Sequence, residues 1–352
     1  MIADRVTTPA DPPAEIAPAV ARFLELIEHG RPEAAVELVL ERVHDGETVT
    51  ETVQRLLAPA QRQVGAYWQL GSYTVTQEHV VSGVVDDLLG LLSVHTAQPT
   101  AEHTVALVCA EGEWHTTPAR MAALCLRDAG LRVQFLGGSL PPEHLGASLR
   151  QLAPRAVAIS CTLPLALGGV PPLVDACRDH QIPTLAGGSG FGPDDLRSIR
   201  LGADGHAVDI GTAIDRLTEW LDRPPPPPPS GSVVVADVER ASIAAERTSL
   251  VDASYRQLER QLPAMAGYDD RQQRHVRRDL DYILQYVDTT LLVDDQRIFA
   301  DFMGWLGALL EARGVPAAVL DVSPETVLGA LPRDLARART VLERGLASLQ
   351  DR

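Results

Sequence analysis

The chain of 352 residues has little cysteine, a deficit of basic side chains and no apolar run long enough to span a bilayer. Its four cysteines, Cys109, Cys125, Cys161 and Cys177, form no CxxC pair, which argues against a disulfide frame or a zinc site and reads them as small buried hydrophobes. Lys and Arg total 31 against 47 Asp and Glu, a formal net charge of −16. That balance disfavours phosphate backbones, so no nucleic-acid partner is expected. The start, Met1-Ile2-Ala3-Asp4-Arg5, lacks a basic stretch followed by an apolar one, so the expectation is a cytoplasmic protein with no membrane partner. What is present is ordinary for a globular protein: 45% hydrophobic and 22% charged residues, in a length that allows two or three domains.

The most informative stretch is Glu111-Gly112-Glu113-Trp114-His115-Thr116-Thr117-Pro118. The β-branched apolar run 104–110 precedes it and predicts a buried parallel strand. Met121, Leu124 and Ala129 follow at helical spacing up to Gly130, which places His115 in a strand-to-helix loop. Two later runs end equivalently. Val157-Ala158-Ile159 leads into Ser160-Cys161-Thr162-Leu163, and Ile182 to Ala186 leads into Gly187-Gly188. In an open parallel sheet the carboxyl ends of strands border the ligand crevice, so these loops converge on one site.

Glu113-x-His115, Ser160-x-Thr162-Leu163 and Gly187-Gly188 resemble the cobalamin-binding domain in its base-off, His-on form. The resemblance implies that His115 coordinates cobalt as lower axial ligand, that Ser160 and Thr162 contact the displaced nucleotide tail, and that the glycines let that tail pass close to the backbone. Neutral imidazole suits a transition metal, and Glu113 is placed to orient its second nitrogen. The family usually has Gly three residues after the His, where this chain has Pro118, a residue suited to a first helical turn.

Ahead of this segment, apolar periodicities over 16–29, 32–45, 49–64 and about 72–95 predict a four-helix bundle, with a possible kink at Pro59. Val81, Val85, Leu88 and Leu92 form the inward seam of the fourth helix, and extending it back reaches Glu78. A carboxylate there needs a polar partner. Trp68 followed after nine residues by Glu78-His79 resembles the helical cap of light-sensing cobalamin proteins. In that group these residues cover the adenosyl group of adenosylcobalamin, light breaks the cobalt–carbon bond, and the bundle shifts. Light-responsive repressors of the group carry a His directly after the Trp. Gln69 stands there in this chain, so a bis-histidine light state would need another imidazole, such as that of His79.

Strands near 104–110, 132–136, 155–160, 182–186 and 203–207, alternating with helices, predict a flavodoxin-like, Rossmann-type doubly wound domain. The unbroken prolines 224–229 form a stiff spacer. Beyond it the chain reads as all helical, with stripes at Val251, Tyr255, Leu258 and Leu262, at Val276, Leu280, Ile283, Val287 and Leu291, and at Ile298, Phe302, Trp305 and Leu309. Ser323-Pro324-Glu325 is expected to cap a further helix. The expected organisation is a multidomain α and α/β chain: a disordered tip (1–14), a bundle cap (15–98), the cobalamin domain (99–223), a polyproline linker (224–232) and a globin-like helical domain (233–352).

His275, Tyr282 and Tyr286, flanked by Arg274 and Arg278, run along one helix in the last domain. Such a line suits a flat apolar ligand with carboxylate arms, since Arg pairs with carboxylates bidentately, and it equally suits a solvated, partly interfacial helix face. The domain order resembles the photocobilins, which implies biliverdin in the C-terminal domain. With no cysteine there, the expected binding is non-covalent. The function expected is therefore a non-enzymatic light sensor, with light-dependent self-association and a possible separate signalling partner. Two alternatives use the same residues: a corrinoid methyl carrier, and a cobalamin sensor whose last domain binds haem through His275.

Overall fold

The computed structural model describes residues 16–226, 237–314 and 317–350. The expected tip, and the linker residues 227–232, lie outside the described residues. The described chain forms two compact units, on either side of that linker.

In the first unit, Pro18 and Pro32 open α1 (Pro18–Glu28) and α2 (Pro32–His44), where a missing N–H costs nothing. The glycines that end these helices, Gly30 and Gly46, take positive φ. A Thr48–Glu51 capping box starts α3 (Val49–Thr52), which continues through a π turn (Val53–Leu57) into α4 (Ala58–Gln69). The expected perturbation at Pro59 thus takes the form of a π turn just before it. Pro59 cannot donate to the carbonyl four residues back, and just before it the Ala58 N–H bonds Val53 O, five residues back. A second box, Thr74 with Gln77, starts α5 (Val75–Leu92), which ends three residues before the expected His95. Its seam, Val81, Val85, Leu88 and Leu92, is buried.

The sheet follows, with β1 (Thr104–Cys109), α6 (Thr116–Asp128), β2 (Arg132–Phe135), α7 (Pro142–Leu152), β3 (Ala156–Ser160), α8 (Val170–Asp179), β4 (Thr184–Gly187), α9 (Leu196–Arg200), β5 (Gly205–Ala207) and α10 (Ile210–Asp222). All pairings are parallel and the order is β2-β1-β3-β4-β5. The doubly wound expectation holds. Connections leave β1 in one direction and β3 in the other, so the crevice opens between their carboxyl ends. Cys109, Cys125, Cys161 and Cys177 are all buried free thiols. Bundle and sheet are joined by side chains: Thr117 Oγ1 and Arg120 donate to Asp86 Oδ1 (2.9 and 2.8 Å), and Thr50 N donates to Asp128 Oδ2 (2.9 Å).

The second unit contains α11 (Val238–Gln261), α12 (Asp270–Val293), α13 (Arg297–Ala312), α14 (Ala317–Ala330) and α15 (Ala336–Gln350). Arg240–Asp288, Arg247–Asp281 and Asp252–Arg277 pair at intervals down α11 and α12, as expected of antiparallel neighbours. One expectation is corrected here. Ser323-Pro324 does not start a helix but lies inside α14, whose surroundings outweigh the roughly 3 kcal/mol that an internal proline costs. No helix among the described residues is long and apolar enough to cross a membrane.

Leu88 is fully buried. Leu88→Ala is expected to cost about 2–5 kcal/mol, read as a lower denaturant midpoint at unchanged slope. His206 on β5 is also buried, its Nε2 has no hydrogen-bond partner, and burial holds its imidazole below 6.5. The unfolded chain then takes up the proton first, so His206 contributes stability above 6.5 that is lost as pH falls below it. His206→Phe is expected to flatten the drop in melting temperature between about pH 7 and 5.

Candidate functional site

Glu113 is fully buried in the loop after β1. Its Oε1 accepts from the His115 backbone N–H (2.8 Å) and from His115 Nδ1 (2.7 Å). Its Oε2 accepts from the backbone N–H groups of Thr162 (2.7 Å) and Leu163 (2.8 Å), in the loop after β3. Burial alone raises a carboxyl pKa, but the hydrogen bonds from His115 and Leu163 outweigh it and hold Glu113 below the ordinary 4.5. The charged form therefore persists. Because Nδ1 faces a carboxylate oxygen, it is the donor in this contact, which leaves Nε2 of the part-exposed ring as the nitrogen placed to meet a ligand.

Local sequence explains the loop path. Gly112 takes φ +85°, and its N–H donates to Ser139 Oγ (3.0 Å) in the loop after β2. Gly138 packs so closely that an added Cβ would meet Thr116 at 2.7 Å. His115 stands at the N-cap of α6, and Pro118 occupies the third helical position, where no intrahelical N–H bond is due. The departure from the family glycine thus leaves the helix start intact. Trp114, between the two functional side chains, is 75% exposed.

Ser160 ends β3 and pairs in register with Cys109 and Gly187. Ser160, Gly187 and Gly188 line a cavity of about 510 Å³, together with Pro118 and Met121 from α6 and Ile210 from α10. Gly188 has φ +103°, and an added Cβ would lie 2.5 Å from Cys161 O, so only glycine leaves this backbone undistorted. Thr162 commits its N–H to Glu113 and its carbonyl to Ser189 Oγ (2.9 Å), yet its own Oγ1 is buried without a partner. A bare backbone beside a largely apolar cavity, with an unpartnered hydroxyl in the adjoining loop, fits a nucleotide-like tail.

The bundle residues divide. Trp68 and Gln69 are buried in the last turn of α4, and Glu78 is buried in the first turn of α5. Glu78 Oε1 accepts from Ser82 Oγ (2.6 Å), one turn on, a partner that sequence reasoning missed although the i,i+4 spacing was readable. His79 Nε2 lies 3.6 Å from Glu78 Oε2, and its side chain is 62% exposed. Also missed was Asp86, which ties the helix carrying Glu78 and His79 to the helix that His115 caps. Its partners are more than 30 residues away, so no local signal announces it.

In the second unit, Arg274 is exposed, and His275, Arg278 and Tyr282 are half-buried on α12. Tyr286 is fully buried and stacked on Phe302, centroids 3.9 Å apart. The Tyr286 hydroxyl and Arg278 Nε are buried without hydrogen-bond partners. Asp279 joins this line, four residues after His275 and three before Tyr282. Its Oδ1 lacks a partner, and burial pushes its carboxyl up to about 6. The spacing could have placed it in the line.

Comparison with known proteins bears on the first unit. Two family models, each described as a B12 binding domain, match residues 19–93 and 103–215. The HTH-type transcriptional repressor CarH of Myxococcus xanthus is 40% identical over 106 residues, 30% of this chain and 35% of that protein. The matched stretch thus spans about a third of that relative. The monomethylamine corrinoid protein of Methanosarcina barkeri aligns with a TM-score of 0.49 at 18% identity, covering 58% of this chain and 97% of that one. The methanol:cobalamin methyltransferase complex MtaBC of the same organism aligns at 0.32 and 17%, covering 59% and 83%. Similarity to a protein named as a transcriptional repressor gives no support to the expected exclusion of nucleic acid.

Glu113→Ala removes the acceptor of four N–H groups and is expected to cost about 1–3 kcal/mol or more, read as a lower melting temperature without any ligand. Gly188→Ala, forced against the Cys161 carbonyl, is expected to lower it as well. The chain thus carries two stretches that match B12 binding domains, and the second of them, residues 103–215, contains this histidine and carboxylate.

Proposed function

We propose that this protein is a light sensor rather than an enzyme, using adenosylcobalamin in its first unit and non-covalently bound biliverdin in a globin-like second unit. The observation that carries the reading is the Glu113–His115 pair: a buried carboxylate orients the imidazole, whose Nε2 would hold the cobalt. Ser160, Thr162 and Leu163, with Gly187 and Gly188, would receive the displaced nucleotide tail. The orphan Thr162 hydroxyl and the bare Gly188 backbone support that role. Trp68, Glu78 and His79 would cover the adenosyl side.

Adenosylcobalamin supplies a cobalt–carbon bond that visible light breaks. Trp68, Glu78 and His79 would then lose what they cover, and the free energy of their contacts would differ between dark and light. Asp86 lies on the same helix as Glu78 and His79 and bonds Thr117 and Arg120 on the helix capped by His115. A displacement of that helix therefore acts on the sheet, with altered self-association, or docking of a separate cytoplasmic signalling partner, as output. Gln69 supplies no imidazole to the light state.

For the second unit, Arg274 and Arg278 would pair with propionate carboxylates, while His275, Tyr282 and Tyr286 line the flat face of the bilin. The unpartnered Tyr286 hydroxyl and Arg278 Nε support a polar-armed ligand.

The test is an absorption spectrum of protein prepared in the dark with adenosylcobalamin and biliverdin, repeated after green light, with size-exclusion profiles of both states. The expected result is a bound corrinoid spectrum that converts on illumination, a separate red band, a changed elution volume, and loss of the His-ligated signature in His115→Ala. A corrinoid spectrum indifferent to light would defeat the sensor reading. Absence of the red band would remove biliverdin alone.

A further inference from the structure

Trp68 and Glu78 lie on different helices, joined by the short turn after Gln69, so something must fix their mutual placement. Backbone bonds fold the turn onto α4: Gly71 N–H donates to Trp68 O (3.1 Å), and the Ser72 and Tyr73 N–H groups both donate to Tyr67 O (2.9 and 3.1 Å). The Thr74–Gln77 box then starts α5. These bonds are all local. The side chain of Tyr73 reaches further: its ring is 7% exposed, packs tilted on the ring of Tyr67 at 5.0 Å, and presents its hydroxyl to Glu28 Oε1 at the end of α1.

We propose that Tyr73 and Glu28 are the positioning pair of the upper-face cap, a latch from a third helix that sets Trp68 against Glu78 and His79. The inference rests on the adenosylcobalamin reading above. Burial, and then the Glu28 bond, raise the Tyr73 phenol far above its ordinary value, so it stays a donor at any physiological pH. The lower ligand is held separately, by Glu113 and the sheet loops. Loosening the latch should therefore alter discrimination between upper ligands while leaving the corrinoid itself bound. A bulky adenosyl group would meet the cap, and a hydroxo ligand would be too small to reach it.

The experiment titrates the full chain in the dark with adenosylcobalamin and, separately, hydroxocobalamin, followed by absorbance. Wild type is compared with Tyr73→Phe, which keeps the ring, with Glu28→Ala, an exposed position, and with Glu28→Gln, which keeps an acceptor. Tyr73→Phe and Glu28→Ala are expected to weaken adenosylcobalamin roughly five- to tenfold, as loss of one hydrogen bond implies, with hydroxocobalamin changed less than about twofold. Glu28→Gln is expected to restore most of the difference. Equal weakening of both cobalamins, or of neither, would overturn the latch and leave the functional reading standing. Wild-type protein that takes up hydroxocobalamin but not adenosylcobalamin would overturn the functional reading, and the latch with it.

Discussion

A buried carboxylate organises the site. Glu113 has no access to water, and an unpaired buried charge costs several kcal/mol, so the fold must bring it donors. It brings four: two from His115 and two from the backbone after β3. Satisfying the charge also ties together the loops from two neighbouring strands at the switch point and fixes the imidazole through its Nδ1. Structure and ligand geometry thus share one cause. The glycines nearby follow from the same closeness, because backbone packed on backbone at Gly188 and Gly169 leaves no room for a Cβ.

The bundle meets the sheet through charge as well as packing. Glu78 settles its buried carboxylate with Ser82, while Asp86, two turns further along α5, bonds Thr117 and Arg120 on α6. Cap residues and the helix led by the proposed cobalt ligand are thereby joined by a rigid element. These half-buried contacts fix the register between the two layers.

The second unit shows a comparable division along one helix. Arg277, Asp281 and Asp288 of α12 pair with α11, whereas Arg278, Asp279 and Tyr286 retain buried polar atoms without hydrogen-bond partners. Buried polar atoms are mostly hydrogen-bonded in protein interiors, so these are places where water or a ligand would find partners.

Much of this was legible before folding. Short continuous apolar runs mark strands buried on both faces and period-3.6 patterns mark helices, so the strands of the sheet, the seam of α5 and the buried stripes of α12 and α13 could be read from residue order. So could the placing of His115, Ser160 and Gly187 at strand ends. Local chemistry was less decisive where it competed with packing: Pro59 produced a π turn, and Ser323-Pro324 was absorbed into α14. Contacts between distant residues left no local trace. That Glu113 reaches Thr162 and Leu163, that Asp86 meets Arg120, and that Tyr73 meets Glu28 was decided by the tertiary structure alone. A side chain's hydrogen-bond partner across 30 to 50 residues depends on where whole elements pack, and no periodicity encodes that.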